Sequence, residues 1–162
     1  MKIRKAHQVD LPAIDAIYNE AIDEGFKTAH TEPMSEDERS AWFEKFNEKF
    51  PVFVCEENGE ILGWLSVSSY RPGRRALSQT AEVSFYVTAG ARGKGVGSEL
   101  LKWSIEHAAT MKLHVFIAIL IESNRASISL LEKHGFEKWG YLPEVINYKG
   151  ERRGQNYYGK IL

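Results

Sequence analysis

Apolar residues change their spacing from segment to segment along this chain, and each spacing predicts an element. Lys2 to Lys5 reads as a short first strand. Ala13, Ile14, Ile17, Tyr18, Ala21 and Ile22 then recur on one helix face. Asp10 is the candidate N-cap, Pro12 lies in the first turn and Gly25 is a stop. After a polar loop from Lys27 to Pro33, Ser35-Glu36-Asp37-Glu38 forms a capping box, and Trp42, Phe43 and Phe46 give the apolar stripe of a second helix. Val52 to Glu56 and Ile61 to Ser68 are strand-like runs joined by Asn58-Gly59, which suits a two-residue hairpin turn. Ser69 to Gln79 holds Pro72, Gly73 and the arginines Arg71, Arg74 and Arg75, and reads as a loop. From Thr80 to Thr88 the pattern alternates: Val83, Phe85 and Val87 face one way, Glu82, Ser84 and Tyr86 the other.

A glycine-rich turn follows, and Ser98 to Ala109 forms a third helix carrying Leu100, Leu101, Ile105 and Ala108. Val115 to Ile121 is uninterrupted apolar sequence rich in Ile and Val, the mark of a buried strand. Ser123 or Asn124 caps a helix bearing Ala126, Ile128, Leu130 and Leu131, and Gly135 ends it. Phe136 to Leu162 holds two more strands with a turn near Lys149-Gly150. The order β-α-α-β-β-β-α-β-α-β-β predicts an α/β (mixed α+β) fold, a mixed sheet with helices on both faces, in one domain spanning residues 1–162.

Composition narrows the class. The chain has 162 residues, 43% hydrophobic and 27% charged, as in a soluble globular domain. Its 21 basic and 22 acidic side chains leave a net charge of −1, without the basic excess expected for a nucleic-acid or membrane-surface partner. No apolar run reaches membrane-spanning length, and the first residues lack the apolar stretch of a signal peptide. The lone cysteine, Cys55, has no internal partner, so a reducing, cytoplasmic location is expected, with Cys55 in the core. The five histidines are scattered singly, so no metal site is expected.

Chemistry concentrates between Glu82 and Leu101. Gly93, Gly95 and Gly97 alternate with Lys94 and Val96 just where a strand gives way to a helix. Glycines let a ligand approach the backbone closely, and a helix start offers amide N–H groups and partial positive charge to a phosphate. Arg92 and Lys94 add mobile positive charge. A P-loop would need Gly-Lys-Ser/Thr after four intervening residues, and a dinucleotide fingerprint G-x-G-x-x-G; neither spacing is present. Taken alone, the glycines also fit a plain tight turn.

Arg92-Gly93-Lys94-Gly95-Val96-Gly97 resembles the Q/R-x-x-G-x-G/A pyrophosphate loop of the GNAT acetyltransferase superfamily. Ala81 to Val87 looks like that family's fourth strand, and Asn124-Arg125-Ala126-Ser127 and Gly135-Phe136 look like its N-x-x-S and G-F signatures. Ile17-Tyr18-Asn19, Thr31-Glu32-Pro33, Ala41-Trp42-Phe43, Arg71-Pro72, Thr80-Ala81-Glu82 and Leu142-Pro143 resemble the phosphinothricin (methionine sulfoximine) acetyltransferase branch. The resemblance covers almost the whole chain in order. It implies a central, mostly antiparallel mixed sheet, acetyl-CoA as cosubstrate, a small-molecule amine as acceptor and a homodimer.

It also implies a division of labour. Phe85, Tyr86 and Val87 would lend backbone groups to the pantetheine arm, and Arg92, Gly93, Lys94, Gly95, Val96, Gly97 and Ser98 would hold the pyrophosphate. Asn124 would bond the pantetheine near the thioester. Glu82, the one acid between Glu60 and Glu99, is the candidate general base, working through a water; its alternative is a solvated residue or a partner for Arg74 or Arg75. Arg71, Arg74 and Arg75 could fork onto an acidic group of the acceptor, and Phe26, Thr31-Glu32 and Trp42 could wall its pocket.

Two residues depart from the family pattern. Leu131 stands where many relatives place a Tyr or His that protonates the leaving thiolate, with His134 one turn on. Gly154 stands where the branch usually carries an Asp. The competing readings are acetylation of another amine (a drug, a polyamine or a protein N-terminus), a non-catalytic acetyl-CoA-binding module and, last, a nucleotide-binding module.

Overall fold

The structure is a computed structural model that describes residues 1–162. Its elements are β1 (Lys2–Lys5), α1 (Leu11–Glu24), α2 (Glu36–Phe43), β2 (Val52–Glu57), β3 (Glu60–Ser69), β4 (Thr80–Val87), α3 (Val96–Glu106), β5 (Val115–Ile121), α4 (Arg125–Lys133), β6 (Glu137–Tyr148) and β7 (Glu151–Ile161). All seven strands form one sheet in the order β1-β2-β3-β4-β5-β7-β6. Every pairing is antiparallel except β4 with β5. No helix is long and apolar enough to cross a membrane.

Turn chemistry fixes the hairpins. Asn58 (φ 52°) and Gly59 (φ 85°) are both left-handed, the geometry that follows the twist of the strands they join. Lys149 (φ 50°) and Gly150 (φ 92°) repeat it between β6 and β7. Ser35 caps α2 as its sequence suggests, accepting from the Glu38 amide while the Glu38 carboxylate accepts from the Ser35 amide at 2.8 Å. Asp10 behaves differently from the expected cap. It is buried and takes a two-pronged bond from Arg4 at 2.7 and 2.9 Å, with the His7 amide as a third donor. Its carboxylate thereby ties β1 to the entry of α1.

The two faces of the sheet bury separate cores. Leu65, Val67, Val83, Phe116 and Ala118 meet Leu100, Leu101, Ile128 and Leu131 of α3 and α4 on one face, with Cys55 fully buried among them. Val54 and Trp64 meet Ile14, Ile17, Tyr18 and Ile22 of α1 on the other, and the Trp64 indole N–H donates to the Ile14 carbonyl at 3.1 Å. The alternation along β4 is therefore not inside against outside: Val83 joins the first core, while Tyr86 packs against the second. The third helix starts at Val96, two residues ahead of the sequence-based expectation, because left-handed Gly95 (φ 88°) serves as its N-cap and Val96 and Gly97 are already buried. It stops at Glu106, and Ala108 and Met111 reach the core from turns.

Candidate active site

The parallel pairing of β4 with β5 lasts only from Thr80–Val115 to Glu82–Ile117. Beyond it β5 stays with β7 and β4 stays with β3, so the β5-facing side of β4 has no strand partner from Val83 onward. The open wedge leads from Glu82 toward the glycine turn. A strand edge of this kind offers backbone donors and acceptors to an extended ligand.

At the end of the wedge, the backbone amides of Gly93, Gly95, Val96, Gly97 and Ser98 have no hydrogen-bond partner within the chain. Converging free N–H groups at a helix start attract an anion, reinforced by the helix dipole. Gly93 (φ 75°) and Gly95 (φ 88°) hold the turn in a conformation that L side chains resist, and a Cβ at either would meet nothing of the protein within 4 Å. The space beside them is open, as a diphosphate requires. Gly97 is different: a Cβ there would stand 2.8 Å from Leu130 Cδ2, so this glycine lets α3 pack against α4.

These groups bound a cleft of about 400 Å³, lined by Phe85, Tyr86 and Val87 of β4, by Arg92, Gly93, Gly95, Val96, Gly97 and Ser98, and by Asn124, Ala126, Ser127, Leu130 and Lys133 at α4. Asn124 is buried and caps α4, its Oδ1 accepting from the Ser127 amide at 3.4 Å. Ser98 Oγ lies 2.7 Å from His134 Nε2. Partial burial lowers the His134 pKa, which favours a neutral ring at pH 7. His134 thus holds a cleft-lining hydroxyl, a link invisible in the sequence. The Arg92 charge is not mobile: its guanidinium pairs with Glu24 at 2.6 Å and donates to the Val87 carbonyl at 3.3 Å. Lys94 is exposed and does not line the cleft.

A second cavity, of about 440 Å³, lies on the other face of β4. Glu82, Ser84 and Tyr86 point into it, alongside Trp42, Trp64, Tyr18, Arg39, Thr28, His30 and Met34, with Ile119, Gln155 and Tyr157 closing the far side. Glu82 is partly buried, and burial alone pushes its carboxyl above the ordinary range, with no partner cation pulling it back. Tyr86 is also pushed up by burial, and packs edge-on to Tyr18 at 4.9 Å. Lys27 and Tyr86 line both spaces, which meet across the wedge.

Several sequence-based expectations are relocated. Trp42 does wall this cavity, but Arg71, Arg74 and Arg75 sit on the exposed β3–β4 loop and line neither space. They make no pair with Glu82. Phe26, Thr31 and Glu32 are also outside it; Phe26 packs at a tilt against Tyr148 at 4.8 Å and lies beneath Arg153 at 5.0 Å. The residues missed were Arg39, Lys27 and His30, which carry no motif and are gathered only by the fold. Leu131 is fully buried. At Gly154 a side chain such as the branch's Asp would have to displace the exposed Tyr141 ring, which lies 2.2 Å from where its Cβ would stand. The Tyr141 hydroxyl and the Gly154 amide both donate to Glu122, at 2.8 and 2.7 Å.

A wedge on β4, a free-amide cradle at its end and an acid-bearing cavity across the strand define a two-substrate transferase site whose first substrate carries a diphosphate. The acetyltransferase (GNAT) family model matches residues 14–136, and the chain belongs to that family, whose acetyl donor is acetyl-CoA. An L-methionine sulfoximine/L-methionine sulfone acetyltransferase of Pseudomonas aeruginosa is 39% identical over 88% of this chain and 84% of its own. Among solved structures, a ribosomal-protein-alanine N-acetyltransferase from Brucella melitensis superposes with a TM-score of 0.94 at 37% identity over the whole of both chains. A phosphinothricin acetyltransferase from Sinorhizobium meliloti, in complex with acetyl-CoA, gives 0.92 at 28% identity over 99% of this chain and 88% of that one. The chain is an N-acetyltransferase with a mixed α/β fold of this type.

Proposed function

We propose that this protein acetylates the α-amino group of a small amino acid of the methionine sulfoximine or phosphinothricin type. The observation that carries the reading is Glu82: an unpaired carboxyl, raised by burial, on the strand that separates the diphosphate cleft from an aromatic cavity of amino-acid size. The names of the relatives support the acceptor class.

In this reading the cradle of Gly93, Gly95, Val96, Gly97 and Ser98 holds the pyrophosphate. The free edge of β4, where Phe85 and Val87 turn their backbone groups away from β3, bonds the pantetheine arm beside Tyr86, and Asn124 contacts it near the thioester. Arg92 steadies the turn through Glu24. The amine enters from the other side, walled by Trp42 and Tyr86. Glu82, through a water, takes the amine's proton as nitrogen bonds to the thioester carbon. A β4 amide donates to the carbonyl oxygen as its charge develops. The carbon–sulfur bond then breaks, and the thiolate leaves and takes a proton from water, Leu131 having none to give. A peptide-type α-amino group, with a pKa near 8, would be about one-tenth neutral at pH 7; the amine of a free amino acid is more basic because its own carboxylate steadies the ammonium, so its proton must be removed by the base.

The test is turnover of acetyl-CoA with methionine sulfoximine, phosphinothricin, a polyamine and a peptide whose N-terminal residue is alanine. N-acetylated amino acid, identified by mass, supports the reading; exclusive acetylation of the peptide establishes the alternative that the Brucella neighbour's name favours. We also propose that residues 1–162 work as one domain, in the cytoplasm, as a homodimer. Trp139, Tyr141, Leu142 and Val145 are exposed along the edge strand β6, an apolar edge suited to a second copy. Light scattering at the monomer mass would refute the dimer.

A further inference from the structure

The acceptor cavity holds a guanidinium whose bonding is incomplete. Arg39, on α2, has a side chain only 4% exposed. A guanidinium carries five N–H donors and a fixed charge, and buried donors are almost always satisfied. The hydrogen bond present runs from Nε to Asp15 Oδ1 at 2.8 Å. Nη2 is fully buried and has no partner. Asp15 does not use its second oxygen here, since Oδ2 accepts from Asn19 at 3.4 Å.

The faces of the guanidinium are occupied. Its carbon lies 4.9 Å from the Tyr18 ring centroid and 5.0 Å from that of Trp42. Both rings line the cavity with Arg39 itself. Aromatic faces hold the plane in place while leaving its edge free, and the free edge is the Nη end of the fork. The cavity therefore carries a preoriented guanidinium that pairs with Asp15 through Nε alone and keeps its Nη donors unused, with Glu82 as the acid on its β4 wall. A zwitterionic acceptor complements that pair.

We infer that Arg39 receives an acidic oxygen group of the acceptor through Nη1, which makes no hydrogen bond within the chain and is not sealed off as Nη2 is. The inference rests on the amino-acid reading above and adds the residue that selects for it. Carboxylate and phosphinate share the required chemistry, two oxygens on one centre carrying one charge. The group bound is either the α-carboxylate or an acid on the acceptor's side chain.

The experiment compares kcat/KM for methionine sulfoximine, phosphinothricin and the amine that methionine sulfoximine would leave on decarboxylation, in wild type and Arg39→Gln. Loss of a charged hydrogen bond predicts a roughly 10- to 100-fold fall for acceptors that carry the recognised acid. A fall for both amino acids with the plain amine unchanged assigns the α-carboxylate; a fall for phosphinothricin alone assigns its phosphinate. An equal fall for all three overturns the inference and leaves Arg39 as a prop for Tyr18 and Trp42. Acetyl-CoA affinity and circular dichroism monitor the fold. Should Arg39→Gln not fold, Arg39→Lys keeps the charge without the fork and shows the same selectivity at roughly tenfold. If wild type acetylates none of the three, the amino-acid reading falls and takes this inference with it; an equal loss in the variant ends the inference alone.

Discussion

Gly95→Ala separates the two roles a glycine can have at the start of α3. Gly95 sits at φ 88°, so an alanine there costs about 1–2 kcal/mol of folding free energy. Nothing of the protein lies within 4 Å of the added Cβ, so no clash adds to that cost. For a chain of 162 residues the melting temperature should fall by roughly 2–8 °C. The methyl group does, however, project into the open space of the cradle next to the free Val96 amide. Losing one amide–phosphate bond weakens coenzyme A binding roughly 10- to 100-fold. Gly59→Ala is the control: φ is 85°, its surroundings are equally open, and it lies in the β2–β3 turn. Calorimetric titration with coenzyme A and thermal melts should show both variants losing similar stability and only Gly95→Ala losing affinity. Equal coenzyme A affinity in the two folded variants would refute the cradle.

Glu82→Gln should raise the melting temperature at pH 8. Burial lifts the Glu82 carboxyl, so the folded state holds that proton more tightly than the unfolded chain, and ionised Glu82 costs stability above the unfolded value near 4.3. The gap between variant and wild type should close as the pH falls toward 4 in melts across that range. Leu131→Ala should cost about 2–5 kcal/mol in urea denaturation, because Leu131 is fully buried between α4 and the sheet. Asp10→Asn should destabilise at pH 7 through the lost pairing with Arg4. Its pKa is held low in the folded state, so that deficit should shrink as wild-type Asp10 protonates in acid.

Local signals in the sequence placed most elements within two residues. The Ser35 capping box, the Asn58-Gly59 turn and the unbroken run Val115 to Ile121 each depend on neighbours in the chain, and the structure keeps all three. Long-range choices were not legible. Gly93, Gly95 and Gly97 look alike in sequence, yet only Leu130, reached through the packing of α3 on α4, distinguishes Gly97 as a packing residue. Asp10 reads as a cap until Arg4, brought by β1, claims its carboxylate. Arginines in a loop beside Glu82 suggested the acceptor's anchor, whereas the arginine in the cavity is Arg39, delivered by a helix far from β4 in sequence. Where β4 parts from β5 also depends on strand pairing, which no single segment encodes.

The proposed reaction assigns the amine's proton to the partly buried carboxylate of Glu82. The direct measurement is the pH dependence of kcat/KM for methionine sulfoximine, at saturating acetyl-CoA, in wild type and Glu82→Gln. Loss of the base should lower the rate about 10²- to 10⁴-fold and abolish the ionisation belonging to Glu82, leaving only that of the amine. A variant that binds acetyl-CoA normally and keeps both the wild-type rate and the full pH profile would contradict it.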